Sequence, residues 1–161
     1  MESFTTSTSG SKYSEAKLLP LSGLVDADEV YKVYYDVFRG YRRLYDQGGA
    51  EHLHRNINYA DIACRRHDDG SVSGVLLDLD VSSSSSSAQR TSAPNVFKAI
   101  DLLCADPPKP LYRHDLESLF YVMVWHIHRY QDGKLVDDPP FEDWARGTLM
   151  LHPRASAASF S

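Results

Sequence analysis

The pattern of apolar and polar positions predicts a long helix in the first third of the chain. It begins after Asp26, which forms a capping-box arrangement with Glu29 three residues later. Apolar and aromatic residues then recur at helical spacing until Gly48 and Gly49 end the run. We expect this stripe to face the core rather than a ligand. Its members are Val30, Val33, Tyr34, Val37, Phe38, Tyr41, Leu44 and Tyr45.

A second long helix is predicted from about Arg113 or Asp115 to about Tyr130. Its middle segment is apolar on nearly every side, and a helix that is apolar all round is typical of an element buried all round. We therefore expect this helix to be the centre of the domain and its most buried element.

Shorter elements are predicted between and after these helices. The segments "DIACRRH" and "VSGVLLDLD" predict a β-hairpin with Asp69 and Gly70 in its turn. A serine-rich flexible loop, a short helical piece in "VFKAIDLLC" and a helical turn in "FEDWARG" complete the pattern. The predicted fold class is α+β, mainly α. One domain spans residues 21–147, between a disordered tail at 1–20 and a second tail at 148–161.

Composition and charge exclude several functional classes. A net charge of −5, with 17 scattered lysines and arginines, argues against nucleic acid and against an anionic membrane surface. Two cysteines make no disulfide framework, so we expect free thiols and a buried Cys64. The chain begins without the features of a signal peptide, and its longest apolar run, Leu119 to Trp125, is too short to cross a bilayer. We expect a cytoplasmic or nuclear protein.

Four short segments follow one another in an informative order: "LHRNINYADI", "GVLLDLDVS", "RTSAPNVFKAIDLL" and "YRHDLESLFYVMVW". Their order and spacing resemble the C-terminal, or large, lobe of protein kinases. More specifically, they resemble the fungal-type protein kinase family over roughly residues 27 to 130. The resemblance implies a partial large lobe, built around the central buried helix and carrying a small β-hairpin.

The resemblance also implies which residues would carry phosphoryl transfer. In such enzymes a catalytic-loop Asp accepts the substrate proton, an Asn five residues later holds Mg²⁺, and a further Asp holds Mg²⁺ against the phosphates. The corresponding catalytic-loop residues here are His54, Arg55 and Asn56. The corresponding metal ligands are Asp61 and Asp78. An amide cannot serve as a base, so Asn56 predicts impaired catalysis, whereas Asp61 can still bind Mg²⁺.

Asp115 opens the second helix, and the resemblance implies a structural role for it. It would accept hydrogen bonds from backbone N–H groups of the catalytic loop, near residues 54 to 56. A plain helix cap is the alternative at this position, and both can hold at once.

The nucleotide-binding features of a kinase are not found in these residues. None of the nine glycines forms a G-x-G-x-x-G loop, and Lys17 is a poor match for the strand lysine. Only 26 residues precede the first helix, too few for a small lobe. We therefore expect a truncated domain with no conventional ATP site and with only weak Mg²⁺ binding.

Three interpretations stay open at this point. The first is a pseudokinase-like interaction module that binds a protein partner, such as a small lobe or another kinase, through exposed apolar surface. The second is a residual ATP-dependent serine/threonine kinase that needs a small lobe supplied in trans. The third is a gene fragment without function.

Overall fold

The structure, a computed structural model, describes residues 18–77 and 96–145, without the side chains of Asp143 and Ala145. The fold is α+β, as predicted. Its helices and strands, in chain order, are β1 Leu18–Pro20, α1 Ala27–Gly48, β2 Ile62–Arg66, β3 Val72–Leu76, α2 Tyr112–Arg129, β4 Tyr130–Gln131, β5 Lys134–Leu135 and α3 Glu142–Ala145. Short 3-10 helices occupy Leu21–Gly23, Gly49–His52, Tyr59–Asp61 and Ile100–Leu103.

Helix α1 begins and ends where the sequence predicts. The Asp26 carboxylate accepts hydrogen bonds from the backbone N–H groups of Asp28 at 2.6 Å and Glu29 at 3.4 Å. The Glu29 carboxylate forms two hydrogen bonds to the Arg66 guanidinium, at 2.8 and 2.9 Å, and so ties the start of α1 to β2. Gly49 ends the helix with a φ of +57°.

The predicted hairpin is present within a three-stranded antiparallel sheet of order β1-β2-β3. Strands β2 and β3 pair from Ile62 with Leu76 to Arg66 with Val72. Strand β1 adds to the other edge of β2, so the expectation of a disordered tail up to residue 20 is wrong for residues 18–20. The rest of that tail, the serine-rich loop and the tail at 148–161 lie outside the described residues.

The core lies between α1, the sheet and α2. Helix α1 crosses β3 at close range, and a Cβ atom at Gly74 would lie only 2.0 Å from the Val33 carbonyl oxygen. Only glycine permits this approach, which brings the helix onto the sheet. The most deeply buried apolar residues come from all three layers: Leu21, Val33, Val37, Tyr41, Leu53, Ile57, Cys64, Leu119 and Val122.

The prediction that α2 is buried all round is wrong. Phe120 and Ile127 are each about half exposed. Several polar residues of α2 are buried instead, and hydrogen bonds inside the protein compensate for their burial. His126 Nδ1 lies 3.1 Å from the Tyr34 hydroxyl, and the Arg129 guanidinium donates to the Pro140 carbonyl at 2.7 Å. The buried polar residues of α2 are His114, Asp115, Ser118, His126 and Arg129.

The prediction of a buried Cys64 is confirmed. Cys64 is fully buried, and both it and Cys104 are free thiols. His126 is buried whereas His128, two residues later, is exposed, so the two rings lie on different faces of α2. No helix within residues 18–77 and 96–145 is long and apolar enough to cross a membrane.

Candidate functional site

The candidate site is the loop of residues 53–61 that connects α1 and its following 3-10 turn to β2. Two apolar side chains anchor the loop, because Leu53 and Ile57 are almost completely buried. Between these anchors, Arg55 and Asn56 are exposed to solvent. The loop is therefore fixed to the core on both sides of the pair of residues that it presents at the surface.

Asp115 holds this loop through its backbone. Its carboxylate accepts a hydrogen bond from the N–H of His54 at 3.1 Å and another from the N–H of Arg55 at 2.8 Å. The residue is 3% exposed and lies in the first turn of α2, where the helix dipole favours a negative charge. Hydrogen bonds to a buried carboxylate are stronger than those between neutral groups. The contact that the resemblance implied is therefore present.

The alternative of a plain helix cap does not describe this arrangement. Leu111 occupies the N-cap position of α2, and its backbone N–H donates to His114 Nδ1 at 3.1 Å. Both oxygens of Asp115 accept from the loop instead. The acid at the start of α2 thus joins two parts of the chain that lie about 60 residues apart.

Tyr41 of α1 completes the junction. Its hydroxyl donates to Asp115 Oδ2 at 2.5 Å and accepts from the His54 N–H at 3.2 Å, and its ring stacks on Tyr112 of α2 with centroids 5.4 Å apart. Burial and the bond to Asp115 raise the pKa of Tyr41 well above its usual value. The hydroxyl therefore remains a donor throughout the physiological pH range.

Arg55 adopts a left-handed backbone conformation with a φ of +66°. Few non-glycine residues do so, and the cost is about 1–2 kcal/mol. The Asp115 bond to its N–H offsets this cost, and the guanidinium donates to the Ala50 carbonyl at 3.3 Å. The loop conformation is thus imposed by contacts from outside the loop rather than by the local preference of Arg55.

His54 and Asp61 face the end of strand β3. The His54 ring is nearly buried, and its Nε2 donates to the Leu77 carbonyl at 3.1 Å. Asp61 Oδ2 lies 3.9 Å from the same nitrogen and accepts the Asn58 N–H at 2.9 Å. The Asp61 carbonyl accepts the Leu77 N–H at 2.7 Å. The backbone of Asp61 is therefore paired with the end of β3, and its carboxylate lies beside the His54 ring.

Of the two residues predicted to hold Mg²⁺, Asp78 lies outside the described residues, so the structure does not test their proximity. The Asp61 carboxylate is a suitable ligand for Mg²⁺, and it is 13% exposed, with one oxygen already bonded within the loop. Across the described ranges, no group of three or more His, Cys, Asp or Glu residues is arranged to hold a metal ion.

Comparison with known protein families identifies the chain. A family model described as fungal protein kinase matches residues 19–127, which is more than half of the sequence. The chain belongs to the fungal protein kinase family. The family match starts within β1 and ends in α2, so it includes the loop, Asp61 and Asp115. Neither the curated proteins nor the solved structures contain a match.

Within this fungal protein kinase framework, Asn56 stands on the exposed side of the loop, directly after Arg55. Its side-chain amide can donate and accept hydrogen bonds, but it does not take up a proton at neutral pH. The loop therefore carries an amide, and not a carboxylate, at this position.

Sequence reasoning missed the role of Tyr41. The residue was assigned to the apolar stripe of α1, and it is indeed 2% exposed. Its hydroxyl, however, bonds to a residue 74 positions later, and helical periodicity carries no information about that distance. The pairing of Tyr34 with His126 was missed for the same reason.

Proposed function

We propose that this member of the fungal protein kinase family is a catalytically impaired, large-lobe kinase domain that acts by binding a protein partner. The observation that carries the proposal is the intact support of the loop that contains Asn56. Asp115 and Tyr41 hold residues 54 and 55 by their backbone, and the family resemblance implies that the next residue, Asn56, stands at the position of the catalytic base.

The chemistry of this position supports the loss of turnover. General-base catalysis contributes typically about 10²- to 10⁴-fold to a rate, and an amide supplies none of it. The support of the loop does not depend on the base, because its donors are the backbone N–H groups of His54 and Arg55. A chain can therefore keep the shape of the loop for binding after catalysis is lost.

The assignment to a large lobe is supported by the order of the elements. A long helix, the loop, a hairpin and a second long helix follow one another within the matched region. The bond from Asp115 to the loop joins the second helix to the candidate site, as the family resemblance implies. The proposal treats residues 21–147 as the core of that lobe.

A residual ATP-dependent kinase is the second candidate, and the position of Asp61 favours it. Its backbone carbonyl accepts the N–H of Leu77, the residue directly before Asp78. These two acids would hold Mg²⁺, which supplies neutralisation of phosphate charge when it is bound. We expect weak binding, detected in an NMR titration as Mg²⁺-dependent shifts at Asp61 and Asp78 that Asp61→Asn reduces. No shift at either residue at millimolar Mg²⁺ would remove this candidate.

Transfer of labelled phosphate from ATP tests the proposed function. The 161-residue chain is incubated with Mg²⁺, labelled ATP and a protein substrate such as casein, beside an active kinase as positive control. We expect no label above the level of a reaction without protein, both for the wild-type chain and for Asp78→Ala. Transfer by the wild-type chain that Asp78→Ala abolishes would contradict the proposal and establish the residual kinase.

A further inference from the structure

An apolar groove lies between the first half of α1 and the second half of α2. Its volume is about 620 Å³. Each helix contributes a row of apolar or aromatic side chains at positions i, i+4 and i+7 along one wall. The rows are Tyr31, Tyr35 and Phe38 on α1, and Met123 and Ile127 on α2 with Tyr130, which directly follows α2 as the first residue of β4.

The groove is separate from the candidate site. Its floor includes Tyr34, whereas the loop is held by Tyr41, seven residues further along the same helix. At the rise of an α-helix these two positions are about 10 Å apart. A substitution on the rim of the groove therefore need not disturb the contacts of Asp115.

The polar groups on the floor of the groove are already paired with each other. The Tyr34 hydroxyl lies 3.1 Å from His126 Nδ1, and both residues are buried. Burial lowers the pKa of His126 to about 4, so the ring is neutral, and its Nδ1 shares a hydrogen bond with the Tyr34 hydroxyl. Small-molecule sites rely on a few converging polar groups to fix their ligand. This floor instead suits the apolar side chains of a protein.

The rim of the groove exposes apolar side chains to solvent. Tyr31 is 70% exposed, Val25 62% and Ile127 50%. Single exposed apolar residues are common on protein surfaces, but a contiguous set beside a cavity marks an interaction surface. These three residues come from both walls and from the segment before α1, and all three line the groove.

Asp132 lines the groove, and a residue of opposite charge, Arg39, lies just outside it, directly after Phe38 of the α1 wall. The Arg39 guanidinium lies 5.3 Å from the centre of the Tyr35 ring. Neither Asp132 nor Arg39 has an ion-pair partner in the part of the chain that the structure describes. An occupant with a cation at one end and an anion at the other would complement both charges.

We propose that the groove binds an amphipathic helix of a partner protein. This helix carries apolar side chains at i, i+4 and i+7, a Lys or Arg beside Asp132, and an Asp or Glu beside Arg39. Each apolar row of the groove spans two helical turns, about 10 Å, which matches that three-residue pattern. The inference rests on the proposed function for one point only, namely that the partner of this domain is a protein.

A synthetic helical peptide with this pattern, labelled with a fluorophore, is the probe. It carries lysine at one end and glutamate at the other, and fluorescence anisotropy measures its binding to the 161-residue chain. We expect saturable binding that Ile127→Glu weakens at least tenfold. Ile100→Glu is the matched control, because Ile100 is 66% exposed and does not line the groove, and it should bind as the wild type does.

A charge exchange tests the orientation of the peptide. Arg39→Glu should weaken binding severalfold, and a second peptide with lysine in place of its glutamate should recover the affinity for this variant. Equal binding of the first peptide to wild type and Ile127→Glu would overturn the inference. So would a dimer, seen by sedimentation, that Ile127→Glu dissociates, because the occupant would then be a second copy of the chain.

The outcome for the groove is distinct from the outcome for the proposed function. The phosphate-transfer assay tests the activity of the candidate loop. The peptide-binding assay tests the groove, which lies on the other half of α1. A chain that transfers phosphate and binds the peptide contradicts only the proposed loss of catalysis. A chain that neither transfers phosphate nor binds the peptide contradicts only the proposal that the groove binds a helix.

Discussion

Asp115 brings together three hydrogen-bond donors that lie far apart in the sequence. They are the backbone N–H groups of His54 and Arg55 and the hydroxyl of Tyr41. A buried carboxylate without such donors would be costly, and buried N–H groups without an acceptor would be costly too. These residues therefore depend on one another, and the loss of one donor should be measurable in the stability of the whole domain.

Tyr41→Phe removes the hydroxyl and leaves the ring in place. The variant loses a hydrogen bond to a charged group, for which about 1.5–3 kcal/mol is typical. We expect the free energy of unfolding, measured by urea denaturation, to fall by about that amount. Tyr35→Phe is the control, since Tyr35 is 43% exposed on the same helix and should change stability by less than about 0.5 kcal/mol. Equal losses in the two variants would argue against the proposed junction.

His126 predicts a dependence of stability on pH. Burial lowers its pKa to about 4 in the folded protein, against about 6.5 in an unfolded chain. Between these values the unfolded chain binds more protons, so the free energy of unfolding decreases as the pH falls from about 6.5 to about 4. The contribution, at most about 3 kcal/mol, is fully present above pH 6.5.

Urea denaturation at several pH values between 4 and 7 measures this effect. His126→Gln has no titrating group at this position, so its free energy of unfolding should decrease less over the same range. The comparison concerns the slope and not the absolute stability, which the substitution changes as well. Parallel slopes for the two proteins would show that His126 does not cause the dependence.

Among single residues, the contact between Asp115 and the backbone of the loop was predicted because the family resemblance implied it. The predicted helix stop at Gly49 and the buried Cys64 followed from local rules and are confirmed. The hydroxyls of Tyr41 and Tyr34 could not be assigned, because their partners lie 74 and 92 residues away. Local patterns carry no information about such partners.

The elements show where periodicity succeeds and where it fails. Helix α1 has a distinct apolar face and was predicted well, whereas α2 has apolar residues on nearly every side, so its sequence did not reveal which side meets the core. The strand β1 was missed because its three residues carry too little pattern, and β4 and β5 have two residues each. Such short strands exist because a neighbouring strand pairs with them.

The packing of α1 on β3 gives a test at the level of elements. Gly74→Ala would place a Cβ atom 2.0 Å from the Val33 carbonyl oxygen, so the helix or the strand must move. We expect the free energy of unfolding to fall by about 1–3 kcal/mol, as for other overpacked sites. Thermal or urea denaturation measures the change.

Gly40→Ala is the matched control for this substitution. Gly40 is an exposed residue within α1, and apart from its chain neighbours and the backbone of its own helix no atom lies within 4 Å of the position that its Cβ would occupy. Alanine is the better helix former, so this variant should gain up to about 1 kcal/mol. If both variants gained stability, the close approach of α1 to β3 would be contradicted.

The whole molecule combines two surfaces on one pair of helices. One end of the α1–α2 pair supports the loop through Tyr41 and Asp115, and the other end forms the apolar groove above Tyr34 and His126. The family match supplies the identity of this framework, and Asn56 supplies the reason for proposing binding rather than turnover. The central claim is that the framework of the loop persists without catalysis.

Amide hydrogen exchange, followed by NMR on the 161-residue chain, tests that claim most directly. We predict slow exchange at the His54 and Arg55 amides with no ATP or Mg²⁺ present, because Asp115 accepts both N–H groups. In Asp115→Asn both amides should exchange at least tenfold faster, while the Cys64 amide in the central strand stays protected and reports an intact fold. Fast exchange of both amides in the wild-type chain, or protection that appears only with Mg²⁺ and ATP, would contradict the account.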